Sequence, residues 1–309
     1  MDWLFPIQAS SVAPDVDNLY WFLIVVCGGL ATILAVLIVG FAIRYHRKFA
    51  GEIPLQNGSP LVLEVGWSVG TLLLFLVMFF WGARLYSRMS VPPSGAIEIY
   101  AIGKRWMWKL QHPGGQREMN ELHIPTGTPV RITLTSQDVI HSFFIPAFRV
   151  KQDAVPGRYT TMWFTATKAG RYHLFCTEYC GLNHSRMTGW VYAMEPASFA
   201  QWLTSGAAEG SLSSLGGKAF HQYGCSTCHN FDGSGPGPSL AKVYGSRIRI
   251  EGQADVTADD SYIRESILNA RAKVVYGFAP VMPAFQGQIP EEDVINLIEY
   301  IKSLREEPE

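Results

Sequence analysis

Four of the five cysteines stand in two tight pairs, Cys176/Cys180 and Cys225/Cys228. The first pair opens the run Cys176-Thr-Glu178-Tyr-Cys180-Gly-Leu-Asn-His184-Ser-Arg-Met187, which sets two thiols, an imidazole and a thioether within twelve residues. Soft sulfur with imidazole suits copper, and the thioether argues against a plain zinc site. A mononuclear blue-copper site needs one cysteine. Two cysteines at i and i+4 point to two metal ions bridged by two thiolates. A Cys176–Cys180 disulfide is the bland alternative, permitted outside the cytoplasm, but it leaves the spacing of His184 and Met187 unexplained. A second imidazole is needed from elsewhere. His141, in Asp138-Val-Ile-His141-Ser, is the best candidate. On a strand His173 would lie three residues from Cys176 and face the other way. His112 and His123 sit beside turn signals and read as solvated.

The second pair belongs to Cys225-Ser-Thr-Cys228-His229, and C-x-x-C-H is the signature of covalent haem attachment. The thiols become thioethers to the porphyrin and the histidine ligates iron. Two further segments strengthen the reading: Gly237-Pro238-Ser-Leu240, and Val281-Met282-Pro283, whose methionine lies 53 residues after His229. Together these resemble a class I cytochrome c. The resemblance implies that the Pro238 carbonyl holds His229 and that Met282 is the sixth iron ligand. His/Met ligation raises the potential, as a donor to copper needs. Helices are predicted over Gly217–Tyr223, Ser261–Val275 and Glu291–Leu304. The last carries Val294, Leu297, Ile298 and Ile301 on one face, with Pro290 and three acids at its start.

These groups need elements to hold them, and the chain is long enough for several. It has 309 residues, 48% of them hydrophobic, and a net charge of −1. Mean hydropathy is +0.10. The composition excludes a disordered chain, the cysteines are too few for a disulfide scaffold, and the charge gives no sign of a nucleic-acid partner. Tyr20–Ile43 holds 24 residues without a charge, about 36 Å as a helix against a hydrocarbon core of about 30 Å. A second apolar run begins at Leu61 and is broken only by Glu64 before Trp81. The predicted spans are residues 20–43 and 61–85. Arg44, Arg47 and Lys48 in the loop between them, against Asp2, Asp15 and Asp17 on the far side, put the loop in the cytoplasm. Both termini then face outward. The start of the chain does not read as a cleaved signal peptide, having Asp2 and no basic region. Glu64 is either an interfacial carboxylate or a residue on a proton path.

Residues 96–195 change character. Short β-rich runs (Ala96–Ile102, Val130–Thr135, Tyr159–Thr165) alternate with turn signals such as Gly114-Gly115 and Pro156-Gly157, the pattern of a sandwich or barrel. Ser205–Ser214 reads as a flexible linker. The domain reading is thus 1–95 for the N-terminal segment and hairpin, 96–195 for the β domain, 196–215 for the linker and 216–309 for the cytochrome.

The hairpin, Trp106-Met-Trp108, Gln137-Asp-Val-Ile-His141-Ser, Asp153-Ala-Val-Pro-Gly-Arg158 and the cysteine loop resemble subunit II of cytochrome c oxidase over residues 15–195. The fused cytochrome resembles the caa3-type arrangement. The resemblance implies a multi-domain membrane protein: a two-helix hairpin, an all-β cupredoxin-like domain with a dinuclear CuA centre, and an all-α cytochrome c domain. It implies His141, Cys176, Cys180, His184 and Met187 as ligands, with Glu178 giving its backbone carbonyl to copper and its side chain to a Mg or Mn site shared with subunit I. It implies Trp106 as the electron-input residue, although the family's aromatic triplet usually has Tyr where Met107 stands, and Glu64 as the entrance of a proton channel. Subunit I, with haem a, haem a3 and CuB, subunit III, and an upstream cytochrome or membrane complex are the implied partners. The implied location is a bacterial inner membrane. The function expected is relay of electrons from the tethered haem c to CuA and on to haem a, with oxygen reduced in subunit I. The electron-input subunit of a CuA-containing nitric oxide reductase is one alternative, and a tethered copper carrier is another. Residues 86–196 carry a net charge of +5 and residues 197–309 a net −5, which predicts docking of the cytochrome by opposite charge.

Overall fold

The computed structural model describes residues 5–46, 60–205 and 210–305. They form two units, Ser11–Val91, and Met1–Ser10 with Pro92–Glu309. The basic loop around Arg47 and Lys48, Asp2, and the centre of the predicted linker lie outside the described residues.

The first unit is a hairpin of α1 (Ala13–Arg44) and α2 (Leu61–Ser90). Windows of mean hydropathy 2.9 and 2.1 within them have no buried residue. A helix apolar all round and uncovered by protein is suited to lipid. Both helices outrun the predicted spans. Pro14 fits the first turn of α1, and Asp15 pairs with Arg88 at the end of α2.

The second unit begins with a β sandwich. Its strands are β1 (Ile97–Lys104), β2 (Met107–Gln111), β3 (Arg117–Met119), β4 (Glu121–Pro125), β5 (Pro129–Ser136), β6 (His141–Ile145), β7 (Val150–Ala154), β8 (Thr160–Thr165), β9 (Gly170–Cys176) and β10 (Thr188–Met194). They form two five-stranded sheets, ordered β3-β2-β1-β5-β8 and β4-β10-β9-β6-β7. The β1/β5 and β4/β10 pairs are parallel. Alternation of side chains places Tyr172, Leu174 and Cys176 of β9 inside and leaves His173 exposed against Trp190. Trp108, Ile132, Phe143 and Phe164 are fully buried in the core.

Most of the described residues in the segment read as linker are helical. α3 (Pro196–Ser205) follows β10 directly, with Phe199 buried, and α4 (Leu212–Gln222) starts earlier than predicted. Trp202 of α3 stacks on His123, ring centroids 4.7 Å apart. His112 and His123 are not solvated. Both bind Glu118, His112 being fully buried. A local turn signal cannot reveal that a later helix covers the rings.

The cytochrome part packs α4 against α6 (Glu291–Ser303), beside α5 (Asp260–Leu268). A Cβ on Gly216 would lie 1.9 Å from the Asn296 carbonyl oxygen, so the close crossing of α4 and α6 requires glycine there. The helix predicted to reach Val275 stops at Asn269, and the chain turns so that Val275 bridges Ile250.

Helix α6 has two buried stripes. Val294, Leu297, Ile298 and Ile301 face the cytochrome core, as the periodicity predicts. Glu292, Ile295, Asn296, Glu299 and Lys302 meet the β sandwich. Ile295 and Leu212 bury with Tyr100 and Ile102. Gln111 donates to Asn296 (2.7 Å), Lys109 pairs with Glu292 (2.5 Å), and Tyr100 donates to Glu299 (2.7 Å). Lys302 binds Glu299 and Asp260 and lies 3.8 Å from Glu98. The signs are therefore mixed. Lys109–Glu292 follows the net charges of the two parts, and Lys302–Glu98 opposes them. Net charge sums over whole surfaces, whereas docking is decided by the matched groups at the contact.

Candidate metal centres

The copper loop connects β9 to β10. Strand β9 ends at Cys176, so strand geometry aims that thiol inward. A turn places Cys180, and the short 3₁₀ turn His184–Arg186 presents the second imidazole. β6 begins at His141 and pairs with β9, Phe143 opposite Cys176. This pairing brings His141 to the loop from 35 residues away.

The donor atoms converge. The two sulfurs are 3.8 Å apart. His141 Nδ1 lies 3.9 Å from Cys176 Sγ, and His184 Nδ1 lies 3.5 Å from Cys180 Sγ. Met187 Sδ is 3.8 Å from Cys180 Sγ, and the Glu178 carbonyl oxygen is 3.3 Å from Cys176 Sγ. His141, Cys176 and Cys180 are all buried and offer donor atoms within 4.8 Å of one another. Each sulfur thus has a nitrogen neighbour and one further donor, and both cysteines are free thiols, not a disulfide. The set fits two soft metal ions sharing two thiolates. Burial opposes a thiolate at both positions. At Cys176 the contact with His141 and nearby backbone groups prevail and bring the thiol down to about 6. At Cys180 burial and the charge of Cys176 hold the thiol up to about 12.

Asp138 fixes His141 from behind. Its carboxylate accepts from His141 Nε2 (2.8 Å), from the Arg105 backbone N–H (2.8 Å) and from the Val139 N–H (2.7 Å). Burial raises this carboxyl, but those donors outweigh it and lower it to about 2. An ionised acceptor at Nε2 puts the ring proton there and leaves Nδ1 free to bind metal. Sequence reading missed Asp138, although an acid three residues before the ligand was the available signal. Trp106 packs on the same loop: its indole N–H donates to the Cys180 carbonyl (3.2 Å).

The cytochrome part encloses a cavity of about 490 Å³ lined by Cys225, Cys228, His229, Pro238 and Met282 among apolar side chains. His229 Nδ1 donates to the Pro238 carbonyl oxygen at 2.8 Å, leaving Nε2 for iron. A Cβ at Gly237 would lie 2.9 Å from the His229 ring, so glycine allows this approach. The lining and the free Nε2 fit a covalently held haem c, with Cys225 and Cys228 as thioether donors.

Glu64 lies in the first turn of α2, one turn before Trp67. It belongs to the unit formed by the helical hairpin.

Residues 115–194 match the family described as cytochrome C oxidase subunit II, periplasmic domain, and residues 213–305 match cytochrome c. A cytochrome c oxidase subunit 2 from Alkalihalophilus pseudofirmus is 28% identical over 306 residues, spanning 94% of this chain and 86% of that protein. The corresponding protein from Thermostichus vulcanus is 29% identical over 256 residues, spanning 64% of this chain and 77% of its own. The crystal structure of the periplasmic domain of subunit II of cytochrome oxidase from Bradyrhizobium japonicum aligns at 33% identity and a TM-score of 0.36, over 38% of this chain and 96% of that one.

A membrane hairpin, a cupredoxin-like sandwich with a two-thiol donor cluster and a c-type cytochrome define a membrane-anchored electron-transfer protein. More particularly, the chain belongs to the cytochrome c oxidase subunit II family, with a cytochrome c domain fused after it. It is a subunit of an oxidoreductase complex, the haem–copper oxidase, and the family implies CuA copper, haem c and association with subunit I.

Proposed function

We propose that this chain is the electron-input subunit of a caa3-type haem–copper oxidase, carrying its own donor. The observation that carries the reading is the soft-donor cluster and the haem-attachment cavity in one docked unit. When bound, the haem and the copper pair supply the one-electron chemistry, by which electrons go from haem c to CuA and on to haem a in subunit I. The protein's work is to hold and orient. His141, Cys176, Cys180, His184, Met187 and the Glu178 carbonyl form the copper shell. Cys225, Cys228, His229 and Met282 hold the haem, with Pro238 fixing the axial imidazole. Trp106, against the loop at Cys180, serves as the input residue for a donor that arrives at the copper loop.

The loop face suits a contact with subunit I. Tyr179 is 75% and Leu182 92% exposed, apolar groups that a partner would cover. The Glu178 side chain is exposed beside them and can reach a Mg or Mn ion at that contact. Glu64 is proposed as the entrance of a proton channel. Subunit III and an upstream cytochrome or membrane complex complete the partners.

The proposed setting is a bacterial inner membrane with both termini on the periplasmic side. The N-terminal segment supports this orientation. Arg149 of the β domain donates to the Pro6 carbonyl (2.7 Å), and Ala9 N–H donates to the Ala147 carbonyl (2.9 Å). A segment bound to the β domain lies on its side of a hydrocarbon core about 30 Å thick.

The test is purification of the native membrane complex. Two coppers and one haem c per copy of this chain, with O₂ rather than NO consumed, would support the reading. A complex that reduces NO alone, or a chain with copper and no haem, would refute it.

A further inference from the structure

A cleft of about 1090 Å³ runs between the β sandwich and the cytochrome domain. On the sandwich side it is lined by Lys104, Ser136 and Gln137, and on the cytochrome side by α5 and the segment before α6. Tyr262 and Lys273 line this cleft and also the haem cavity. The haem cavity and the cleft are therefore separated by one layer of side chains on and just after α5.

Across the cleft stands the chain that reaches the copper shell. Gln137 Nε2 donates to Glu292 at 3.1 Å, joining α6 to the turn after β5. The Gln137 N–H donates to the Gly103 carbonyl (3.0 Å). A Cβ on Gly103 would lie 2.7 Å from the His141 ring, so β1 touches the ligand directly. The next residue, Asp138, accepts from His141 Nε2 at 2.8 Å. Covalent and hydrogen bonds thus connect the docking face of the cytochrome to one copper ligand. Among the described residues, Trp106 lines neither cavity. It meets the copper loop from the Cys180 side instead.

We infer that the tethered cytochrome feeds the copper centre through Gln137, Asp138 and His141, an entrance distinct from Trp106. The inference rests on the functional reading above. One electron moves: the haem domain is oxidised by one electron, the copper pair is reduced by one, and no bond or proton changes. The α6 stripe holds the cytochrome in this pose. Glu292 is its closest anchor, bound by both Lys109 and Gln137. Electronic coupling falls steeply with distance through empty space and less steeply through bonded atoms. A bonded bridge at the cleft wall is therefore the favoured route.

The test uses the full chain in its complex, with Gln137→Leu and Trp106→Phe as variants. Zero-length carbodiimide cross-linking of Lys109 to Glu292, read by mass spectrometry, reports the pose independently of electron flow. The pair should cross-link in the native chain and in Gln137→Leu, since Lys109 still holds Glu292. The copper electron-paramagnetic signal should persist in Gln137→Leu, while haem-to-copper transfer after flash reduction slows several-fold. Absence of the cross-link in the native chain would overturn the pose. Unchanged transfer in Gln137→Leu with the cross-link kept, or control of that rate by Trp106→Phe instead, would overturn the route. A chain that holds neither copper nor haem would overturn the functional reading and the route with it.

Discussion

At the scale of single residues, the proposed copper shell depends on groups that position ligands as much as on the ligands. Asp138 carries no donor to the metal, yet it sets the proton on His141 Nε2 and so aims Nδ1 at the site. Replacing such a supporting group typically lowers metal affinity by about 10–100-fold. Asp138→Asn is expected to weaken copper by that order in a chelator competition, with the haem spectrum unchanged. Cys180→Ser goes further, because one thiolate cannot bridge two ions as two do. Copper should fall below two per chain in metal analysis, while the Cys225 and Cys228 thioethers keep the haem. Loss of haem together with copper would contradict two separate centres.

At the scale of elements, α6 decides how the two domains meet. Its outward stripe is mostly charged and polar. In the fold Ile295 is fully buried and Asn296 1% exposed, because residues of β1 and β2 cover them. Ile295→Ala removes apolar packing from that contact, and such truncations in cores cost about 2–5 kcal/mol. Thermal melting should show the cytochrome and the β domain destabilised together, since the side chain belongs to both. A loss confined to the cytochrome would mean that the stripe is not shared.

At the scale of the whole molecule, the docked pose has an acid limit. Burial would raise the Glu292 carboxyl, but the Lys109 ammonium and the Gln137 amide overcome this and hold it below its usual range. A carboxyl lowered in the docked state stabilises that state above its free value, near pH ~4.3, and the contribution fades as pH falls below it. Acidification from pH ~5 to ~3 should separate the domains, seen as loss of amide hydrogen-exchange protection along α6 and β2. Glu292→Gln should remove most of that pH dependence. Acid-insensitive protection in the native chain would show that Glu292 does not set the limit.

By itself the sequence determined which side chains could do chemistry and how they are spaced. Cysteines four residues apart with a histidine and a methionine following, and C-x-x-C-H, are local spacings, legible without knowledge of the fold. The spans were equally legible, because lipid demands long uncharged runs. The strand periodicity placed Cys176 inside and His173 outside for the same local reason. Tertiary structure alone decided the rest. His112 and His123 are covered by a helix some eighty to ninety residues later in the chain. Asp138 matters through β6 pairing with β9, and α3 forms because Phe199 and Trp202 find a surface to cover. The docking face of α6 and the cleft beside Gln137 exist only when two domains meet. Such contacts join residues far apart in the chain, and no local pattern encodes which polar side chain will find a partner there.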